Sequence, residues 1–147
     1  MTEGERTIAA ISTANGRGGV AVIRISGAGA LSIARQMFTP RQKGVRAGEF
    51  EPYRLYPGDI QAEHFKDFGM CAYFKAPKSY TGEDVIEFHC HGGTEIAQGI
   101  LKQTYRLGAS PAEAGEFTKR AFLNGKMTLS AAEGVADMIN ADSESMI

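Results

Sequence analysis

Two stretches of this sequence pass from an apolar, strand-like segment through glycine into a helically spaced one. That order restricts the chain to folds in which helices pack on a sheet. The first is Val20-Ala-Val-Ile-Arg-Ile-Ser26, then Gly27, then Ala30, Leu31, Ala34, Met37 and Phe38 at helical spacing, with Pro40 stopping the pattern. The second is Asp84-Val-Ile-Glu-Phe-His-Cys90, then Gly92-Gly93, then Ile96, Ile100, Leu101, Tyr105 and Leu107, which Gly108 ends. A β-to-α crossover is implied.

Further strands are expected at Thr7–Ser12, Tyr53–Tyr56, Asp59–His64 and Phe68–Phe74, with Thr13–Gly19 turning between the first two in a hairpin-like start. Arg41–Gly48 reads as an exposed, solvated loop, and Ala76–Gly82 as a polar, turn-rich loop. Ala112–Asn124 carries a short helical pattern with Phe117, Ala121 and Phe122 on one side. A last helix opens at Ser130-Ala-Ala-Glu133, which has capping-box spacing, and runs to Ile147 with no Gly, Asn or Pro to cap it. The expectation is an α/β (α+β) chain: a mixed sheet with flanking helices over 1–125, then, at 126–147, the beginning of an α-helical domain of a larger protein.

With 147 residues, 43% of them hydrophobic, the chain can fill one packed core. Lys plus Arg number 16 against 17 Asp plus Glu, too balanced for the broad positive field that non-specific nucleic-acid binding requires. Cys71 and Cys90 lie in apolar runs without CxxC spacing and read as buried, reduced thiols. Arg24, Lys75 and Glu87 break the apolar runs, so none reaches the ~20 residues needed to cross a bilayer. A soluble, cytoplasmic protein without membrane contact is expected.

Three motif-like strings dissolve on inspection. Gly16-Arg-Gly-Gly-Val-Ala21 has the spacing of a dinucleotide-binding turn, but its glycines open a strand where that turn must open a helix. Asn124-Gly-Lys-Met-Thr128 fails as a phosphate loop, because Arg120 stands where the first glycine belongs and Met127 where the Mg²⁺-binding hydroxyl belongs. His89 and His91 leave a strand on one face and Cys90 on the other, with no second ligand pair at zinc spacing, so no metal site is assigned. His91-Gly-Gly93 reads instead as a tight strand-to-helix turn.

Three charges remain unaccounted for. Arg24 interrupts one apolar strand, Glu87 interrupts another, and Lys126 follows a glycine between two helical segments. Strand alternation allows Arg24 and Glu87 to face solvent or to pair with each other; a ligand site is the alternative.

Taken together, three long blocks resemble the MnmE (TrmE) family of tRNA-modification GTPases. They are Thr7 to Gly27, Ala76-Pro-Lys-Ser-Tyr-Thr-Gly-Glu-Asp-Val-Ile-Glu-Phe-His-Cys-His-Gly-Gly93, and Gly115-Glu-Phe-Thr-Lys-Arg-Ala-Phe-Leu-Asn-Gly-Lys-Met127 with the following Ala-Glu-Gly-Val-Ala-Asp-Met-Ile-Asn140. Two departures are visible: Ala114 where the family often has Pro, and Thr128 where it often has Asp. The resemblance implies an amino-terminal domain similar to the folate-binding fold of the glycine-cleavage T-protein, a helical domain, and a potassium- and magnesium-dependent GTPase inserted in the latter and absent here. It implies a homodimer that acts on tRNA with a flavin-dependent MnmG-type partner, modifying the wobble uridine at carbon 5 with a one-carbon unit from tetrahydrofolate (5-formyl- or 5,10-methylene-). It carries the folate-binding role onto Arg24 in Arg-Ile-Ser-Gly, Glu87 in Asp-Val-Ile-Glu and Lys126 in Leu-Asn-Gly-Lys, with no catalytic residue in this segment. Charge matching then gives Glu87 the pterin edge, and Arg24 and Lys126 the carbonyl or carboxylate oxygens. The runner-up functional reading is a dimerisation module without an occupied folate site; a third, a freestanding folate-dependent methyl or aminomethyl transferase, needs a general base or nucleophile that is not evident near the three charges.

Overall fold

The computed structural model describes residues 6–12, 19–46 and 48–138, and the backbone of 139–145. The expected turn at Thr13–Gly19, with Gly16 and Gly18, falls largely outside the described residues. The elements run β1 (Ile8–Ile11), β2 (Val20–Ser26), α1 (Ala30–Met37), β3 (Phe38–Pro40), β4 (Leu55–Gln61), β5 (Lys66–Phe74), β6 (Val85–His91), α2 (Thr94–Arg106), β7 (Ser110–Pro111), α3 (Glu116–Leu123) and α4 (Leu129–Ser145). The chain is α/β, with a seven-stranded mixed sheet in the order β3-β4-β5-β6-β2-β1-β7.

The pairings are antiparallel except for β1 with β7. Helix α2 therefore carries the chain from β6 over β2 and β1 to the far edge, the crossover expected from the glycine pair at 92–93. Helices α1 and α2 bury Ile33, Met37, Ala97 and Ile100 in one cluster with Ile23, Ile25, Ile86 and Phe88 of the central strands. Each fully buried Ile or Phe contributes about 1.5–3 kcal/mol relative to exposure, so this face is where the sheet is anchored. On the opposite face Val22, Arg24, Glu87 and His89 are only partly covered.

Several boundaries differ from the sequence expectation for identifiable reasons. Tyr53–Tyr56 and Asp59–His64 are not two strands; β4 spans Leu55–Gln61 without a break at Pro57-Gly58. Pro57 still joins the sheet through its carbonyl, which accepts the Arg41 N–H at 2.9 Å. Gly58 is required by closeness, because a Cβ at that position would stand 2.3 Å from the Thr39 carbonyl oxygen. Phe38 does not end α1 but begins β3; it precedes Thr39-Pro40, where the proline disfavours helix, and its ring stacks on Phe88 at 6.3 Å in the core.

Gly108, at φ 116, closes α2 as expected: its N–H reaches the Tyr105 carbonyl and the Ala109 N–H the Thr104 carbonyl. The capping of α4 is a correction. Thr128, not Ser130, caps it, with the Thr128 hydroxyl accepting the Ala131 N–H at 3.1 Å. Among the described residues no helix is long and apolar enough to cross a membrane.

Candidate functional site

Strand β2 pairs with β6 so that Arg24 stands opposite Glu87. Both leave the sheet on the face that α1 and α2 do not cover. Arg24 Nη2 and Nε lie 3.3 and 3.4 Å from Glu87 Oε2, and the two side chains are 23% and 19% exposed. These contacts are longer than the 2.7–2.9 Å typical of a tight charge-assisted bond. The two odd charges of the sequence therefore pair, loosely, and neither is saturated by the other.

Glu87 has a second partner. His89, two residues on and hence on the same face, places Nε2 at 3.1 Å from Glu87 Oε1. The His89 hydrogen bond, followed by the Arg24 charge, holds the Glu87 carboxyl below the usual carboxylate range against the opposing effect of burial. An ionised carboxylate only accepts, so His89 carries its proton on Nε2 in this arrangement.

Two aromatic rings flank the Arg24 guanidinium: Tyr80 at 5.1 Å and Phe117 at 5.4 Å from centroid to Cζ. They wall a cavity of about 400 Å³ that Ser12, Arg24, Glu113 and Thr118 also line, within the size range of small-molecule sites. Tyr80 is fixed by a 2.8 Å hydrogen bond between its hydroxyl and that of Thr118 on α3.

The loop that carries Tyr80 is held by a buried polar network. Ser26 donates its hydroxyl to Glu83 Oε1 at 2.8 Å and meets the Thr81 hydroxyl at 2.7 Å. Arg120, on α3, donates to both oxygens of Glu83 at 3.0 and 3.2 Å. Glu116 links Arg120 at 3.3 Å to Arg6 at 2.9 Å, and its other oxygen accepts the Glu113 N–H. Asn124 donates to the Thr81 carbonyl at 2.8 Å. Sequence reading did not single out Glu83, Glu116 or Arg120. The available signal was the i,i+4 spacing of Glu116 and Arg120 on an otherwise apolar helical stripe.

Lys126 is placed by the end of α3. The Gly125 N–H reaches the Phe122 carbonyl at 3.0 Å and the Lys126 N–H the Ala121 carbonyl at 2.8 Å, with Gly125 at φ 71. This is the Schellman arrangement, in which Asn124-Gly125-Lys126 is a helix cap and not a phosphate loop. The Lys126 side chain is exposed and packs its stem against the Tyr80 loop, since a Cβ on Gly82 would stand 3.4 Å from Lys126 Cγ. The structure thus pairs Arg24 with Glu87 directly and sets Lys126 beside the same loop, not in contact with the pair.

The residues weighed for zinc are engaged elsewhere. His91 Nδ1 lies 2.6 Å from Asp67 Oδ1, and Asp67 Oδ2 accepts the His91 backbone N–H. Cys71 and Cys90 are buried free thiols, as expected. Burial pushes both thiols up, Cys90 to about 11.

Residues 7–126 match the model of the family described as GTP-binding protein TrmE N-terminus. The chain is 48% identical over 148 residues to a tRNA modification GTPase MnmE of Akkermansia muciniphila, an alignment covering 98% of this chain and 32% of that protein. Proteins of the same name from Nitratiruptor sp. and Laribacter hongkongensis are 49% and 51% identical, over 97% and 94% of this chain and 31% and 30% of theirs. The chain therefore spans about a third of the length of these relatives.

Proposed function

The chain belongs to the family of the TrmE N-terminus, and on that premise we propose that it binds a reduced folate through Arg24 and Glu87, as part of a tRNA-modification GTPase. One observation carries this reading: Arg24, which lines a cavity of about 400 Å³ with Tyr80 and Phe117, is only loosely paired with Glu87.

The donor set fits a pterin. Its 2-amino group and adjacent ring N–H form a parallel pair of donors, which a carboxylate can accept side by side. Arg24 Nε and Nη2 both converge on Oε2 from one guanidinium edge, and His89 takes one position of Oε1. Oε1 thus keeps one acceptor position, and the two long Arg24 contacts leave Oε2 room for a further donor. Arg24 has five N–H donors, of which two are directed at Glu87, and its remainder suits a carbonyl or carboxylate oxygen. Lys126, exposed across the loop, suits the anionic tail of the same ligand as a mobile point charge. When bound, 5-formyl- or 5,10-methylene-tetrahydrofolate would supply the one-carbon unit for carbon 5 of a tRNA wobble uridine.

The same proposal assigns GTP hydrolysis, with its K⁺ and Mg²⁺, to the portion of the relatives this chain does not match. It assigns the uridine chemistry to a complex with an MnmG-type flavoprotein in the cytoplasm. Residues 1–125 form the folate-binding and self-associating unit, and 126–147 begin a helical one. Exposed apolar side chains on the uncovered sheet face, including Val20, Leu55 and Phe68, support pairing with a second copy. Light scattering tests that pairing, and a monomeric mass counts against it.

Thermal melting separates this reading from that of a self-association module with no folate site. Saturating 5-formyltetrahydrofolate raises the melting temperature of a binding domain by mass action. An unshifted melt supports the module.

A further inference from the structure

Glu87 is the centre of a three-residue line on the uncovered sheet face, with Arg24 on Oε2 and His89 on Oε1. The line follows from strand geometry. Arg24 is the cross-strand partner of Glu87, and His89 is its same-face neighbour along β6. His89 itself stands between Val22 on β2 and Met70 on β5 in register, neighbours that offer it neither charge nor a strong hydrogen bond. The remaining cross-strand partner of Glu87 is Ala72 on β5, which does not titrate. The charged groups facing Glu87 among the described residues are thus Arg24 and His89, while Tyr80 and Phe117 reach it through Arg24.

A carboxylate with a single partner turns about its terminal bond; one held at both oxygens does not. We infer that His89 is a positioning residue that holds the plane of the Glu87 carboxylate, so that its outward edge accepts a parallel pair of N–H donors. This makes the site selective for a planar ring edge carrying an amino group beside a ring N–H, and hostile to an edge presenting a carbonyl oxygen there, which would meet acceptors unpaired. The inference rests on the reading of Glu87 as a ligand carboxylate. The lowered proton affinity of Glu87, whose largest cause is the His89 bond, accords with it.

The test uses the full chain with His89→Phe, which removes the donor, and His89→Gln, whose amide N–H replaces it. Two quantities are read: the side-chain carboxyl ¹³C shift of Glu87 against pH without ligand, and the calorimetric affinity for 5-formyltetrahydrofolate between pH 5 and 8. In His89→Phe the Glu87 midpoint rises, and the affinity falls about tenfold at pH 7 and further at pH 5. His89→Gln restores most of the loss at pH 7. A His89→Phe protein that keeps both the wild-type midpoint and the wild-type affinity overturns the inference and leaves the folate reading standing. A raised midpoint with no binding by any form, wild type included, upholds the positioning role and overturns the folate reading.

Discussion

Arg120 and Glu83 meet inside the protein although 37 residues separate them, with Nη1 lying 3.0 and 3.2 Å from the two carboxylate oxygens. This contact joins helix α3, which supplies Phe117 and Thr118, to the loop that supplies Tyr80. This ion pair therefore helps hold the two walls of the candidate cavity together, beside the Tyr80–Thr118 and Asn124–Thr81 hydrogen bonds. Arg120→Met removes a cation and leaves Glu83 and Glu116 facing each other at a largely buried site. We expect a loss of about 3–5 kcal/mol of folding stability, read by urea denaturation. Arg120→Lys should recover only part of it, because a single ammonium cannot reproduce the forked contact.

Gly125 sets the position of Lys126. At φ 71 it occupies the left-handed region, where a Cβ costs about 1–2 kcal/mol, although no neighbouring atom lies within 4 Å of that Cβ. Gly125→Ala should destabilise the chain by about that amount. Gly125→Asn should cost less, since asparagine tolerates this conformation. Equal stability of all three proteins in denaturant would remove the cap from the account.

The Glu87 carboxyl also gives a pH signature. Its folded proton affinity is lowered, chiefly by His89 and then by Arg24, so ionised Glu87 stabilises the fold. That contribution is fully present above the unfolded value of about 4.3 and is lost as pH falls through the lower folded value. The stability difference between wild type and Glu87→Gln should hold constant from pH 7 to about 5 and then shrink on acidification. A difference independent of pH down to pH 3 would contradict the pairing.

Cys71 and Cys90 should resist alkylation. Burial raises both thiols, that of Cys90 to about 11 with a further contribution from Asp67, and the thiolate is the reactive form. Iodoacetamide at pH 8 should leave the native mass unchanged and add two groups in denaturant. Rapid native labelling of Cys71 would show that its side of the core opens.

The core and the site were legible in the sequence to different depths. Period-two runs at Val20–Ser26 and Val85–His91, each followed by glycine and a helical stripe, are long enough to reveal sheet and crossover helices. Strands of two or three residues such as Ser110–Pro111 and Phe38–Pro40 have no period to detect, and exist because β1 and β4 offer them ladders. Ser130 and Glu133 had capping-box spacing, yet Thr128 takes the cap, since spacing does not fix where a helix begins. For the site, Arg24 and Glu87 stood out as charges inside apolar strands. Their pairing depends on a register between segments 63 residues apart, which local pattern cannot carry. Glu83 resembled an ordinary surface charge, because burial by distant segments leaves no local trace, and for Arg120 the local trace was only its i,i+4 spacing from Glu116.

Calorimetric titration of the chain with 5-formyltetrahydrofolate, wild type against Glu87→Gln, decides whether the Glu87 carboxylate binds the pterin. Glutamine keeps the shape but replaces one acceptor oxygen by a donor facing the pterin N–H groups. Wild type should bind measurably, and the variant should lose about 2–5 kcal/mol of binding free energy. Equal affinity in the two proteins would contradict that role for Glu87.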